Sequence, residues 1–308
     1  MTRIPIDRRR FIGLTAAVAG LGLTGLPAFA AGPDVLTKAI PKTGERIPAI
    51  GMGTWITFNV GEDKKLRDAR TQVLAKFFEM GGGMIDSSPM YGSSEAVVGY
   101  GLDKLGRTDG LFSATKVWTP LTAHGEEQIE DSRRLWGLGT FDLFQVHNLL
   151  NWEDHLQTLR AEKAAGRIRY IGITTSHGMR HDGMERIMQS EDIDFVQLTY
   201  NAVDRDAEAR LLPLAAERGI AVICNRPYRR GGLIDRVQRH PLPAWSREAG
   251  AGNWPEFLLK FIVSHPAVTC AIPATTQVVH MTENMGALRG PMPDEKMRKR
   301  MAEYVRNL

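Results

Sequence analysis

The chain has 308 residues, 43% of them apolar, with 39 basic and 35 acidic side chains and a formal charge of +4. That length suits one large domain or two small ones, and the apolar content can build a core without disulfides. Four arginines and one aspartate fall within residues 1–30, which leaves 35 basic against 34 acidic side chains beyond them. The basic balance therefore carries no nucleic-acid signal, and no basic stripe with interleaved aromatics occurs.

The chain opens on a leader. Arg3, Arg8, Arg9 and Arg10 make a basic start, residues 11–26 are apolar and uncharged, and Ala28-Phe29-Ala30 supplies small residues around a cleavage point. That order predicts an export signal over residues 1–30 and a single domain at 31–308. The alternative is a membrane anchor, but the apolar run is shorter than the roughly 20 residues a span needs. No stable membrane insertion of the mature protein is expected. Asp7-Arg8-Arg9-Arg10-Phe11-Ile12 resembles a twin-arginine (Tat) signal, with Asp where Ser or Thr is usual. The resemblance implies the Tat export machinery as a partner, folding in the cytoplasm, and a final place in the periplasm or otherwise outside.

Next, Pro41-Lys42-Thr43-Gly44 between two short apolar segments predicts a hairpin. A strand–helix rhythm follows. Residues 64–80 put Leu66, Val73, Leu74 and Phe77 on one helical face, and Gly81-Gly82-Gly83 ends that helix. Strands are expected at 49–53, 84–88, 110–118, 141–147, 168–175, 194–200, 220–224 and 268–272. Further helices are expected from Ser94 and at 126–136, 152–165, 179–189, 208–218 and 255–265. Short apolar strands without strict alternation indicate burial on both faces, as in a parallel sheet. Eight strands and seven helices at this size predict an α/β fold, a (β/α)₈ TIM barrel with an N-terminal hairpin. The rival is a doubly wound sheet, which opens on a Gly-rich phosphate loop. Gly51-Met52-Gly53-Thr54-Trp55 has neither that spacing nor a helix directly after it. Cys224 and Cys270 suit no metal motif and no metal site is expected. They read as buried core thiols, or as a disulfide between neighbouring strands in an oxidising compartment.

In such a barrel the chemistry sits at the C-terminal strand ends. Asp86 ends the second strand, Tyr91 follows in its loop, Lys116 ends the third strand and His147 the fourth. Each has an ordinary alternative: a helix cap, a turn aromatic, a snorkelling lysine, a satisfied core histidine. Together they make a chemical set. An ammonium beside a phenol favours the phenolate and lowers its pKa. Asp86 can hold Lys116 protonated. His147 can donate to a carbonyl oxygen as negative charge develops there, and Tyr91 can deliver the proton.

At these residues the chain resembles the aldo-keto reductase family, from about Val35 to Leu288. The matching segments are residues 47–55, 84–92, 113–118 and 141–147, which carry all four residues of the family's tetrad in order. The resemblance implies reduction of an aldehyde or ketone, with hydride from a nicotinamide cofactor and a proton from Tyr91. It places the cofactor across the barrel mouth near Thr54, Trp55 and Asp86. It puts the carboxamide against Thr174, Thr175 and Gln197, with Thr175 where the family has Asn. Asn225 stands where an aromatic usually stacks on the ring. The cofactor-phosphate segment matches Ala274, Thr275, His280, Glu283 and Asn284, without the Lys and Arg that many NADP-preferring members carry at the first and third of these. Arg226 or Arg229 is the substitute cation. NADP(H) is favoured and NAD(H) is the alternative. Trp55, Tyr91, Trp118 and His147 are expected to line the substrate pocket. Trp245, within the long segment 226–253, and Trp254, just after it, are placed to close the pocket, or else pack in the core. Two other functions compete: a cofactor-binding regulatory or partner protein with little turnover, and alcohol oxidation by the same residues in reverse.

Overall fold

A computed structural model describes residues 35–308; the leader lies outside them. β1 (Thr37–Ala39) and β2 (Arg46–Pro48) form the expected hairpin, with Lys38 opposite Ile47. Eight strands then pair in chain order, every one parallel to the next. They are β3 (Met52–Gly53), β4 (Met84–Asp86), β5 (Phe112–Val117) and β6 (Phe141–Val146), then β7 (Ile168–Thr174), β8 (Phe195–Thr199), β9 (Ala221–Asn225) and β10 (Cys270–Ala271). The seam between β3 and β10 closes the barrel. Gly51 N donates to Ala271 O at 2.8 Å, Ala271 N to Ala49 O at 2.9 Å, and Gly53 N to Pro273 O at 3.0 Å. A Cβ on Gly51 would lie 2.9 Å from Met84 O, and one on Gly53 would lie 2.9 Å from Ile272 O. The two glycines of the entry strand therefore serve barrel closure, not phosphate binding.

An outer ring of helices returns the chain between strands: α1 (Lys64–Glu79), α2 (Ser94–Leu105), α3 (Thr122–Trp136), α4 (Trp152–Ala164), α5 (His181–Ser190) and α6 (Leu211–Arg218). The long segment after β9 contains α7 (Gly232–Val237) and leads into α8 (Trp254–Val263). Two helices beyond the expected rhythm, α9 (Val278–Gly286) and α10 (Glu295–Asn307), follow β10. Val73, Leu74 and Phe77 bury one face of α1 as expected, but Leu66 is 40% exposed. It stands in the first turn of α1, where the stripe passes the ends of the strands.

The alternation of side chains along each strand divides the barrel interior into layers. Met84, Phe112, Leu143, Tyr170, Phe195 and Ala221 form the lower interior, closed from below by Ile40 and Ile47 of the hairpin. Two or four residues further along the same strands come Asp86, Lys116, Gln145 and Gln197, all buried. The sequence thus fills the barrel with hydrocarbon at one end and polar groups at the other. Cys224 and Cys270 are buried free thiols. Cys224 packs in the outer core and Cys270 in the interior, so adjacent strands turn them to opposite faces and no disulfide forms.

Candidate functional site

The polar layer forms one hydrogen-bonded network. Lys116 Nζ contacts Asp86 Oδ1 at 2.5 Å and donates to Ser87 O at 2.7 Å. The other carboxylate oxygen of Asp86 accepts from Gln145 Nε2 at 3.1 Å and Gln197 Nε2 at 2.9 Å. Asn225 Nδ2 continues the network to Thr175 O at 2.8 Å and Gln197 Oε1 at 3.4 Å, and Thr199 Oγ1 donates to Asn225 Oδ1 at 2.7 Å. Burial works against the Lys116 ammonium, but Asp86 and then Tyr91 outweigh it and hold the pKa above the usual lysine value.

Tyr91 sits above this layer on a 3₁₀ turn, Pro89–Tyr91. Pro89 presets the turn, and Ser88 caps it by accepting from Met90 N at 3.2 Å. Gly92 ends it at φ 64°, and a Cβ there would meet Asn59 Oδ1 at 2.5 Å. The Tyr91 ring has Lys116 Nζ 5.0 Å from its centroid and stands edge-on to the His147 ring at 5.7 Å. His147 Nδ1 is 2.9 Å from Ser88 Oγ. Burial, then the charge of Lys116, holds the His147 imidazole well below the usual histidine range, so the ring is neutral. All four tetrad candidates therefore meet at one end of the barrel.

One expectation about Tyr91 is corrected. Lys116 does pull its pKa down, but burial is larger and the net direction is up. The resting phenol is firmly protonated, because removing the side chain from water penalises its anion more than one ammonium offsets.

The remaining candidates surround this centre. Thr54 Oγ1 donates to Asp86 O at 3.0 Å and fixes the end of β4. Trp55 is half-buried under the Arg230 guanidinium, 4.7 Å from its ring centroid. Trp118 is 42% exposed at the mouth. Thr174 Oγ1 accepts from Asn148 N at 3.0 Å. Thr175 departs from expectation: its hydroxyl turns outward to Met184 Sδ, 3.9 Å away on α5, and only its carbonyl joins the network. Arg226 Nη1 lies 2.6 Å from His177 Nε2, while Arg229 pairs with Asp204 at 3.2 Å. Ala274 and His280 are exposed, Thr275 is buried and accepts from Gln277 N at 3.1 Å, and Asn284 accepts from Tyr228 OH at 2.6 Å. Glu283 is half-buried on the same helix.

Trp245 and Trp254 do not close the mouth. Trp254 donates to His240 O at 3.0 Å and stacks on Tyr304 of α10, and Trp245 packs on Phe257 and Tyr304. Sequence reasoning missed Gln145, Ser88 and Arg230. Gln145 carried a signal, since it precedes His147 by two and so faces the same side of its strand.

Comparison with known proteins agrees with this geometry. The model of the Aldo/keto reductase family matches residues 49–302. Methylglyoxal reductase YeaE of Escherichia coli (strain K12) is 26% identical over 260 residues, 82% of this chain and 89% of that protein. Aldo-keto reductase yakc, NADP(+), of Schizosaccharomyces pombe is 23% identical over 302 residues, 83% of this chain and 88% of that one. An aldo-keto reductase from Klebsiella pneumoniae, solved in complex with NADPH, superposes with a TM-score of 0.74 at 22% identity, covering 88% of this chain and 95% of that one.

Proposed function

The chain belongs to the aldo/keto reductase family, and we propose on that premise that it reduces an aldehyde or ketone to the alcohol with NADP(H). The observation that carries this reading is the meeting of Asp86, Lys116, Tyr91 and His147 at the polar end of the barrel. The bound nicotinamide would supply the hydride. Everything else falls to the chain. Ser88 Oγ, which accepts from Met90 N, can give its hydrogen to His147 Nδ1. In that tautomer the neutral ring carries its proton on Nε2, and that N–H can orient a carbonyl oxygen and stabilise the charge it gains. Tyr91 gives that oxygen a proton, and the Lys116 ammonium, fixed by Asp86, stabilises the phenolate left behind. A binder without turnover would have no use for this set.

The mouth also fits a dinucleotide. The first turn of α9 has no side-chain cap and no acidic residue, and it is exposed. Free backbone N–H groups at a helix N-terminus suit a phosphate. The family resemblance would place Thr54, Trp55, Gln197, Asn225 and Arg226 against a cofactor whose phosphate lay at that turn. NADP(H) is favoured because relatives are named for or solved with it. Ala274 and His280 offer no strong cation at this turn. Discrimination between NADPH and NADH is therefore expected to stay below about 1.5–3 kcal/mol, the range of one charged hydrogen bond. Fluorescence titration with both cofactors measures it, and a thousandfold preference for either would refute it. Consumption of the bound cofactor with a panel of small aldehydes and quinones tests the activity itself. Binding without turnover across that panel would leave only a binding protein.

We infer further that residues 1–30 direct export through the Tat machinery, ahead of a single domain at 31–308, and that the folded enzyme acts in the periplasm or otherwise outside. Arg8 and Arg9 ahead of an apolar run support this. Among the described residues no helix is long and apolar enough to cross a membrane. Changing Arg8 and Arg9 to Lys should leave full-length protein in the cytoplasm, as fractionation and immunoblotting would show. Normal processing and export of that variant would exclude the Tat route.

A further inference from the structure

One buried acid takes no part in the reaction described above. Glu95 stands in the first turn of α2, a short step along the chain from Tyr91. An acid there is ordinarily exposed, where it favours the helix N-terminus. Glu95 instead turns inward and is 2% exposed. Its Oε1 accepts from Thr115 Oγ1 at 2.7 Å and from Trp136 Nε1 at 3.2 Å. Burial pushes its pKa above the usual glutamate value, and the bond from Thr115 and the charge of Lys116 offset only part of that.

A close helix–helix contact seats this side chain. Gly99, one turn further along the same face of α2, lies against the end of α3, and a Cβ there would be 1.8 Å from Leu135 O. The two helices therefore touch backbone to backbone. Glu95 reaches across one turn earlier to Trp136, the last residue of α3.

Both ends of this bridge lead to the reacting groups. Thr115 immediately precedes Lys116 on β5, and alternation points the two side chains to opposite faces. Lys116 enters the barrel, while Thr115 meets Glu95 behind the strand. On the other side Ser94 Oγ donates to Tyr91 O at 2.9 Å and fastens the tyrosine's turn to the helix that carries Glu95. The 5.0 Å between the Tyr91 ring centroid and the Lys116 ammonium is thus braced from outside the barrel as well as from within.

We propose that Glu95 is a positioning residue: through Thr115 and Trp136 it locks α2 to the back of β5 and so holds the Tyr91 phenol at its working distance from the Lys116 ammonium. The inference rests on the reductase reading above. What it requires of Glu95 is an acceptor at Oε1, not a negative charge.

Single-turnover oxidation of bound NADPH by a saturating small aldehyde tests it, with NADPH affinity measured beside it by fluorescence titration. Glu95→Met keeps a chain of similar length and loses the acceptor. Its rate should fall about 10- to 100-fold, as expected of a small misplacement of reacting groups, with NADPH affinity within about twofold. Glu95→Gln restores the acceptor and should recover all but about twofold of the parent rate. In a Tyr91→Phe background Glu95→Met should cost less than about twofold, because no phenol remains to be positioned. Thr115→Val removes one donor with little change of shape. It should slow the parent about two- to tenfold, and it decides the matter if Glu95→Met does not fold. Tyr91-dependent turnover untouched by Glu95→Met or by Thr115→Val would overturn the assignment and leave the reductase reading in place. So would a Glu95→Gln enzyme as slow as Glu95→Met, or equal losses with and without the Tyr91 hydroxyl. A parent with no Tyr91-dependent turnover would remove the reductase reading and the assignment together.

Discussion

Tyr91→Phe is expected to slow carbonyl reduction by about 10²- to 10⁴-fold, the usual worth of a positioned acid, while folding and cofactor binding survive. The substitution keeps the ring that packs edge-on to His147 at 5.7 Å. It removes only the hydroxyl. The raised pKa of Tyr91 sharpens the argument. Burial keeps the proton on the resting phenol, so the acid is fully loaded at neutral pH. Its anion arises only as the substrate oxygen takes the proton, and there the ammonium 5.0 Å from the ring centroid does most. Stabilisation that appears in the transition state and not before is what accelerates a step. Lys116→Met should therefore also slow the reaction. The two losses should not add, because both act on one proton. The decisive reading is the single-turnover rate of cofactor oxidation with carbonyl saturating. A Tyr91→Phe enzyme as fast as the parent would sink the mechanism.

The barrel was legible in the strand–helix rhythm and its polar end in the ionisable residues at strand ends, and the alternation of side chains along each strand is what gathers them. Asp86, Lys116 and Gln197 sit two or four residues beyond apolar interior positions on their own strands. Gln145 obeys the same rule, and reading it would have completed the set of donors around Asp86. Ser88 could not be found that way. Its partner His147 is 59 residues distant in the chain, and only closure of the barrel brings them together. The outward turn of Thr175 is also local detail, set where β7 has ended and alternation no longer governs. Trp245 and Trp254 were ambiguous because their packing partner Tyr304 lies on α10, outside the repeating strand–helix units. The direction of the Tyr91 shift needed a quantity the sequence does not contain. Neighbouring charges can be listed from motifs, but the depth of burial that outweighs them cannot.

Asp86→Ala is expected to destabilise the fold by about 3–5 kcal/mol, the usual effect of removing one partner from a buried ion pair. Lys116 is fully buried, and Asp86 is its only carboxylate contact among the described residues. The substitution also strips the acceptor from Gln145 Nε2 and Gln197 Nε2, each a buried donor with its own desolvation penalty. Water reaching the cavity would soften the loss. Pairing Asp86→Ala with Lys116→Met separates the contributions, since a thioether chain can occupy the lysine's path with no charge to strand. The double variant should therefore be less destabilised than the sum of its single variants, and a coupling of opposite sign would contradict the pairing. Denaturant midpoints at constant m-value provide the measurement. If Asp86→Ala unfolds at the parent's midpoint, the polar layer is not holding the mouth of the barrel. The carboxylate's role would then be confined to fixing Lys116 for Tyr91, which the activity of the same variant would report.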